Sequence, residues 1–307
     1  MNCKGCYSKT DMRNKSPDLS LSQIKLIFEQ LHNNGVVKII FSGVEPLLHV
    51  DLYEILSSSK QYGFENIVIS NGSIAISDDI YSKIDTIAFS IDYLENDYNT
   101  LGRRIYKDSL LDNIYKAHSL GVNVNGIITI HSKNINYIED YFKLSMEYQL
   151  PISFSIFYSN DSNCELFLLK DEQLRNFISK CQDSMSVLVE GFNDFNDIFC
   201  RNHCNIGCGN ISVDVYGNLT PCHILSEYKL GNLLDNPKTV WNNLEKFINT
   251  LNLPLECENC DYKVFCGGGC KARSVIAGGF ESKDPYCEMY KAYYEKQYEY
   301  IKTLIAT

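Results

Sequence analysis

Cysteines are the residues of this chain whose type and spacing most clearly indicate chemistry. Cys257 and Cys260 are followed at short intervals by Cys266 and Cys270, and then by Cys287. Short separations let several thiolates converge on one metal group at little cost in loop-closure entropy. Both zinc and iron–sulfur clusters prefer thiolate ligands. The spacing therefore predicts a metal site and leaves open which metal it holds, with buried, unliganded thiols as the alternative.

A second group of cysteines lies upstream, at Cys204, Cys208 and Cys222. Glycines accompany both groups of cysteines, above all at positions 267–269. Because glycine has no side chain, the backbone can wrap closely around ligands at these positions. The chain has 13 cysteines, an odd number, and its first residues lack the apolar segment of a secretory signal peptide. We therefore expect a reducing, cytoplasmic compartment and metal or redox chemistry rather than a disulfide scaffold.

Polar residues also follow several predicted strands, and a cysteine pair, Cys3 and Cys6, lies near the first residue. Glu45, Asn71 and Ser90 each stand at or just after the end of a strand-like segment. In parallel barrels the carboxyl ends of the strands form the face that carries active sites. Taken singly, each of these residues could be an ordinary cap, turn or solvated side chain. Their repeated position after strands predicts a site.

Alternating helical and strand patterns over the first half of the chain are typical of βα units around a parallel sheet. A capping box at Ser20 and Gln23 predicts the start of the first helix, which Asn34 and Gly35 end. A further helix is predicted over about 171–185. The predicted strands cover residues 36–41, 66–70, 84–91, 122–130 and 152–158.

The sequence pattern changes after about residue 200, where cysteines, glycines and short strand-like segments replace the alternating strands and helices. We predict a barrel domain over residues 1–186, a linker over 187–203, and a cysteine-rich domain with a C-terminal helix over 204–307. The net charge of −10 argues against a nucleic-acid partner. No stretch approaches 18 consecutive apolar residues, so no membrane span is expected.

The cysteine-rich region resembles the SPASM domain of peptide-modifying radical S-adenosylmethionine (SAM) enzymes, since all seven cysteine positions of that pattern are filled. The resemblance favours iron–sulfur over zinc and implies two auxiliary 4Fe–4S clusters. Cys208 would be a fourth ligand of the inner cluster, or an iron is left open for substrate or water. The implied ligands are Cys257, Cys260, Cys266 and Cys287 for the outer cluster, and Cys204, Cys222 and Cys270 for the inner one.

The first half resembles the radical SAM barrel. Cys3 and Cys6, before Tyr7, are similar to the end of the C-x3-C-x2-C-Y signature, whose cysteines hold the SAM-binding cluster. Residues 41–47, FSGVEPL, are similar to the SGGEPLL segment, with Val44 replacing a glycine. The resemblance assigns Glu45 to the SAM amino group. It also implies SAM contacts from Asn71, Ser90, Asp92 and Arg103, with Arg104 as the alternative to Arg103.

The first cysteine of that signature would fall just before Met1, together with the first barrel strand. We therefore expect Met1 to be an internal methionine of a longer protein or a misassigned start. The alternative is a pseudo-enzyme without its SAM cluster. The fold implied is α/β: a partial (β/α)6 TIM-like barrel with a small Cys-rich C-terminal SPASM domain.

The implied function is reductive cleavage of SAM to a 5′-deoxyadenosyl radical that modifies a peptide or small protein, by crosslinking or oxidation. Flavodoxin or ferredoxin would supply the electron. A catalytically inactive electron-transfer or peptide-binding protein is one alternative, and a zinc protein is another. His223 stands where sulfatase-maturing relatives have an aspartate, and the replacement argues against that activity. Because a histidine titrates near neutrality, His223 could act as a general base. It could instead donate a hydrogen bond to the cluster or be a surface histidine.

Overall fold

The computed structural model describes residues 18–91, 106–182, 187–189, 204 and 206–305. The first helix, α1 (Leu21–Asn33), begins at the predicted capping box. The Ser20 side chain accepts the Gln23 N–H, and the Gln23 side chain accepts the Ser20 N–H. This exchange satisfies two backbone donors that a helix start leaves unpaired. The helix ends at Asn34, and Gly35 takes a φ of 80°.

Six parallel strands form one sheet in chain order. Each strand pairs with the next in sequence, and helices precede, connect and follow the strands, as a partial (β/α)6 barrel requires. The predicted fold class is confirmed. The strands are β1 (Lys38–Phe41), β2 (Glu65–Ser70), β3 (Thr86–Ser90), β4 (Asn123–Ile130), β5 (Ile152–Ile156) and β6 (Val187–Val189), and the helices after α1 are α2 (Leu52–Gln61), α3 (Asp78–Tyr81), α4 (Lys107–Ser119), α5 (Ile138–Glu147) and α6 (Asp171–Gln182).

Strand β6 pairs with β5 in parallel, with Ile152 opposite Val187. The first three residues of the predicted linker, 187–203, therefore belong to the sheet. Short strand length explains the error, because a three-residue apolar run carries too little periodicity to be recognised. The rest of the predicted linker lies outside the described residues, so the position of the domain boundary stays a prediction.

The sheet's register brings its carboxyl ends to one edge. Phe41 lies opposite Val68, and Ser70 lies opposite Phe89. Along β2 and β4 the burial alternates from residue to residue. One set of side chains packs under the helices, and the other set faces the opposite side of the sheet. The residues that directly follow β1, β2 and β3 therefore share one rim.

In its described residues, the cysteine-rich region contains a small antiparallel sheet and four α-helices. Leu219 of the sheet and Val240 of the first of these helices share a hydrophobic cluster with Phe28 of α1, so this region packs against the start of the barrel. The elements are β7 (Ser212–Val213), β8 (Asn218–Thr220), β9 (Gly231–Asn232), α7 (Pro237–Asn249), α8 (Lys263–Cys266), α9 (Lys271–Ala277) and α10 (Cys287–Ile305).

Helix α10 joins the region to the far end of the barrel. Arg175 of α6 donates to the carboxylates of Glu288 and Glu295 on α10. Tyr286, just before α10, donates its hydroxyl to the Phe157 carbonyl at 2.9 Å. Within the described part of the chain, no helix combines the length and apolar character needed to cross a membrane.

Candidate active site and metal centres

Glu45 connects the ends of the first two strands. Its side chain is 9% exposed and begins a short 3-10 turn at Pro46–Leu48. One carboxylate oxygen accepts the Leu47 N–H at 3.2 Å, and the other accepts the Asn71 N–H at 2.9 Å. An ionised carboxylate offers about four acceptor positions. Two backbone donors therefore fix its orientation and leave capacity for a cation such as a substrate ammonium.

Asn71 and Ser90 lie on the same rim. The Asn71 side-chain oxygen accepts the Ser73 N–H at 2.8 Å, which shapes the turn after β2. Gly72 in that turn has a φ of 71°, and a Cβ there would lie 2.7 Å from Cδ1 of Leu110 on α4. Glycine is therefore required on both conformational and steric grounds. Ser90 is half-buried at the end of β3, opposite Ile127.

The structure thus brings Glu45 into contact with Asn71 and places Ser90 at the same edge. The other residues predicted for this site lie outside the described residues: Cys3, Cys6, Asp92, Arg103 and the alternative Arg104. Their roles stay predictions.

Four thiols line one small cavity in the cysteine-rich region, which opens to solvent. They belong to the four cysteines predicted for the outer cluster. Burial raises the pKa of Cys266 to about 12. Burial also raises the pKa of Cys257 and of Cys287, and a neighbouring thiol raises each of these pKa values further. Metal coordination would remove these protons, because a bound metal deprotonates its thiol ligands. The four cysteines are Cys257, Cys260, Cys266 and Cys287.

A glycine turn lines part of this cavity. Gly267, Gly268 and Gly269 all have positive φ, at 58°, 91° and 77°. The N–H groups of Gly268 and Gly269 donate to the Cys266 sulfur, which lowers the pKa of that thiol against the larger effect of burial. A Cβ on Gly269 would lie 2.6 Å from Cβ of Asp284. The turn can therefore hold no side chain there, and its N–H groups suit a sulfur that carries negative charge.

The inner group gathers around Cys204. Its sulfur accepts hydrogen bonds from the Cys270 thiol and from the backbone N–H groups of Lys271 and Ile206, which together lower the pKa of Cys204 against the opposing effect of burial. Donation to Cys204, and then burial, raises the pKa of Cys270. Cys222 lies near enough to act electrostatically on Cys204. Three of the predicted inner ligands are therefore assembled, and their assignment as ligands stays a prediction.

Cys208 differs from those three because it is exposed, whereas they are half-buried. Its role as a fourth ligand stays a prediction. His223 is also exposed, and its Nδ1 lies 3.9 Å from the Cys222 sulfur. That contact favours a hydrogen bond to a ligand sulfur over proton transfer to a substrate. The role of His223 as a general base likewise stays a prediction.

The donor set of the four-thiol cavity suits an iron–sulfur cluster, since it consists of thiols. Among the residues that the structure describes, no three His, Cys, Asp or Glu side chains converge on a point that could hold one metal ion. A zinc site needs four donors about 2.3 Å from one ion. A 4Fe–4S cluster instead presents a separate iron to each thiolate. The cavity is lined by four cysteines, the number that gives each iron of one such cluster a ligand.

A buried ion pair, which the sequence analysis missed, supports Cys270. Arg273 and Asp284 are 4% and 1% exposed and are joined at 2.9 Å. Asp284 accepts the Cys270 N–H at 2.7 Å, and Arg273 also donates to the Tyr290 hydroxyl at 2.7 Å. The only sequence signal is a basic residue three positions after a cysteine, which is far commoner on solvated helix faces.

Comparison with known proteins identifies the class. Residues 1–145 match the model of the Radical SAM superfamily, and residues 204–261 match SPASM, described as an iron–sulfur cluster-binding domain. The chain thus contains a region that matches the radical SAM family and, further along, a region that matches the SPASM domain. The second match begins at the residue where the sequence predicted that the cysteine-rich domain begins.

Particular relatives lie within the same class. The PqqA peptide cyclase of Xanthomonas oryzae pv. oryzae (strain MAFF 311018) is 23% identical over 93% of this chain and 84% of its own length. The structure of native anSMEcpe with bound AdoMet shares the fold, with a TM-score of 0.79, 17% identity and coverage of 99% and 94%. Streptococcus suis SuiB bound to precursor peptide SuiA has a TM-score of 0.72 and 15% identity, covering 92% of this chain and 71% of that one.

Proposed function

We propose that this protein is a radical SAM enzyme that reductively cleaves S-adenosylmethionine and modifies a peptide or small protein by crosslinking or oxidation. One observation carries the proposal. A chain with a region that matches the radical SAM family also has a SPASM cavity lined by four thiols, those of Cys257, Cys260, Cys266 and Cys287. Residues that could hold a SAM molecule and residues that could hold clusters are thus combined in one protein.

The residues at the strand rim would bind and orient SAM. Glu45, already held by the Leu47 and Asn71 N–H groups, would accept the substrate ammonium with its remaining oxygen lone pairs. Ser90, Asp92 and Arg103 are proposed as further contacts. Cys3 and Cys6 are proposed ligands of the SAM-binding cluster, which with bound SAM supplies a 5′-deoxyadenosyl radical and methionine.

The cysteine-rich region would handle the electron released when the substrate radical is oxidised. Its cavity lies beside a buried ion pair and a glycine turn, which hold the ligand backbone in place. His223 would tune or orient Cys222 through the contact of 3.9 Å between ring nitrogen and sulfur. These residues position ligands; the redox chemistry belongs to the clusters that they would hold.

A peptide substrate is supported by relatives that act on or bind peptides, the PqqA peptide cyclase and SuiB with its precursor peptide. We further propose a flavodoxin or ferredoxin as reductant and a cytoplasmic location. The net charge of −10 supports the absence of a nucleic-acid partner, since phosphate binding needs a basic face.

The alternative function is a catalytically inactive auxiliary-cluster protein that transfers electrons or binds peptides. The four thiols of the cysteine-rich site favour it as a second candidate, because a cluster held there could carry an electron whether or not SAM is cleaved. It predicts iron in the SPASM region without any 5′-deoxyadenosine formation.

The peptide part of the proposal is tested by co-expression. The full natural chain would be produced anaerobically with each short peptide encoded beside its gene, and the peptides would be weighed by mass spectrometry. A loss of hydrogen mass in one peptide, absent with a Cys3→Ala/Cys6→Ala variant, is expected. Unchanged masses for all of these peptides, from protein that cleaves SAM, would contradict peptide modification of this kind.

A further inference from the structure

Lys271 directly follows the proposed ligand Cys270 and has a relative exposure of 0%. A fully buried lysine is rare, since removing an ammonium from water is costly unless nearby groups compensate. Its Nζ donates to the Asn252 carbonyl at 2.7 Å. A single carbonyl is weak compensation for a buried charge, so a further source of negative potential is required.

The position of Lys271 between the two cysteine groups supplies that source. Its backbone N–H donates to the sulfur of Cys204, in the inner group. Its Nζ lies 3.5 Å from the point where a Cβ of Gly268 would be, and the Gly268 N–H donates to the sulfur of Cys266 in the outer group. The backbone of Lys271 therefore contacts the inner site, and its ammonium group lies next to the outer site.

The electrostatics agree with this placement. The Lys271 ammonium lies close enough to the sulfurs of Cys204, Cys257 and Cys266 to interact electrostatically with each of them, and also with the Glu281 carboxylate. By contrast, Lys263 and Lys283, which line the mouth of the outer cavity, are exposed. Water screens their charges, whereas little solvent screens a charge inside the protein.

We propose that Lys271 is a positioning residue for electron transfer: a fixed positive charge between the two auxiliary cluster sites that raises the reduction potential of both. This deepens the proposed function and rests on it, because it assumes clusters at both sites. A nearby cation favours the reduced cluster, which carries one more negative charge than the oxidised form. Lys271 would thereby make the SPASM region a better electron acceptor for an oxidising substrate.

The test is an EPR-monitored redox titration of the reconstituted full chain without SAM or peptide. A Cys3→Ala/Cys6→Ala background removes the proposed SAM cluster, so that only the auxiliary clusters report. In Lys271→Met we expect the equilibrium constant for reduction of each auxiliary cluster to fall roughly tenfold. This corresponds to a reduction potential that is lower by about 59 mV for one electron. The potentials of Lys271→Arg should stay near those of the parent protein. In Lys263→Met, where the lost charge is exposed to solvent, the potentials should shift much less than in Lys271→Met.

Equal potentials in Lys271→Met and the parent would overturn the proposal, as would equal shifts in Lys271→Met and Lys263→Met. If Lys271→Met does not retain iron, Lys271→Gln, which keeps a donor for the Asn252 carbonyl, reports the loss of charge instead. Loss of iron from both neutral variants, with Lys271→Arg retaining it, would assign the residue to folding and also overturn the proposal. Potentials are read without SAM, so failure here is distinct from failure of SAM cleavage.

Discussion

The strand rim and the cysteine-rich region assemble their functional groups in different ways. At the rim, Glu45 and Asn71 are 26 residues apart and meet because parallel strands end at a common edge. In the cysteine-rich region, Cys257, Cys260 and Cys266 are close in sequence, and local turns bring them together. The rim therefore depends on the sheet, whereas the thiol cavity depends on glycines and a buried ion pair beside it.

This difference suggests where each region is fragile. The rim carboxylate is held by backbone N–H groups, which no side-chain substitution removes. The thiol cavity is supported by Asp284, whose side chain contacts the Cys270 backbone, Arg273 and the Gly269 turn. We expect substitutions of supporting residues to affect the cysteine-rich region more than the rim.

The largest expected effect is on iron content. Cys266→Ala should lose about one 4Fe–4S cluster, roughly four irons per chain, because it removes one of four thiolates of a cluster. Iron and acid-labile sulfide, measured on anaerobically reconstituted protein, check this. Cys181→Ala is the matched control, since that buried cysteine belongs to the barrel core. Equal iron loss in both variants would contradict the assignment of the outer site.

The next effect is on the stability of the cysteine-rich region. Arg273→Leu leaves Asp284 buried without its partner, which typically costs about 3–5 kcal/mol. Urea unfolding of the anaerobic protein measures the change. Asp140→Asn breaks the exposed pair with Lys143, whose side chains are 55% and 71% exposed, and should cost less than about 1 kcal/mol. A similar loss of unfolding free energy in the two variants would contradict the claim that the buried ion pair contributes more to stability than the exposed one.

A smaller effect is expected at the rim. Glu45→Gln removes the negative charge for a SAM ammonium and should weaken SAM binding by about 1.5–3 kcal/mol, the usual contribution of a hydrogen bond to a charged group. Equilibrium dialysis with labelled SAM gives the affinity. Iron content should not change. Glu65→Gln, at the opposite end of β2 where Glu65 pairs with exposed Lys38, is the control and should bind SAM normally. Weaker binding in both would argue against a site at the carboxyl edge.

The smallest effect concerns pH. Burial, and secondarily Lys133, lowers the pKa of His131 from 6.5 to about 4, and its Nδ1 accepts the Lys133 N–H. The unfolded chain takes up a proton below pH 6.5 and the folded chain does not until about pH 4. Stability is therefore lost as pH falls through this window, by about 2 kcal/mol at pH 5.

Urea unfolding at pH 7 and pH 5 measures this loss. His131→Gln should reduce the difference between the two pH values, and His118→Gln, on the exposed end of α4, should not. An unchanged pH dependence in His131→Gln would show that other groups cause it.

The sequence predicted most of the barrel, because its strands are apolar runs of four to eight residues separated by amphipathic helices. Strand β6, with three residues, was missed since it is too short for a pattern. The structure places the thiols of Cys257, Cys260, Cys266 and Cys287 around one cavity and Cys204 beside Cys270, and short cysteine spacings favour such proximity. Their assignment to two clusters stays a prediction.

Contacts between residues that are far apart in the chain could not be predicted from the sequence. Nothing local to Asp284 shows that its carboxylate accepts the Cys270 N–H across 14 residues. The burial of Lys271 was equally hidden, since a lysine at the start of a helix is normally solvated. Such contacts arise from packing between segments, and single-residue propensities carry no information on them.

The most direct test of the central claim is SAM cleavage. The full natural chain, reconstituted anaerobically with iron and sulfide, would be incubated with SAM and dithionite, and 5′-deoxyadenosine would be measured by chromatography. We predict multiple turnovers of 5′-deoxyadenosine, abolished in Cys3→Ala/Cys6→Ala while the SPASM iron remains. Fully iron-loaded protein that forms no more 5′-deoxyadenosine than that variant would contradict the radical SAM activity and leave an auxiliary-cluster protein.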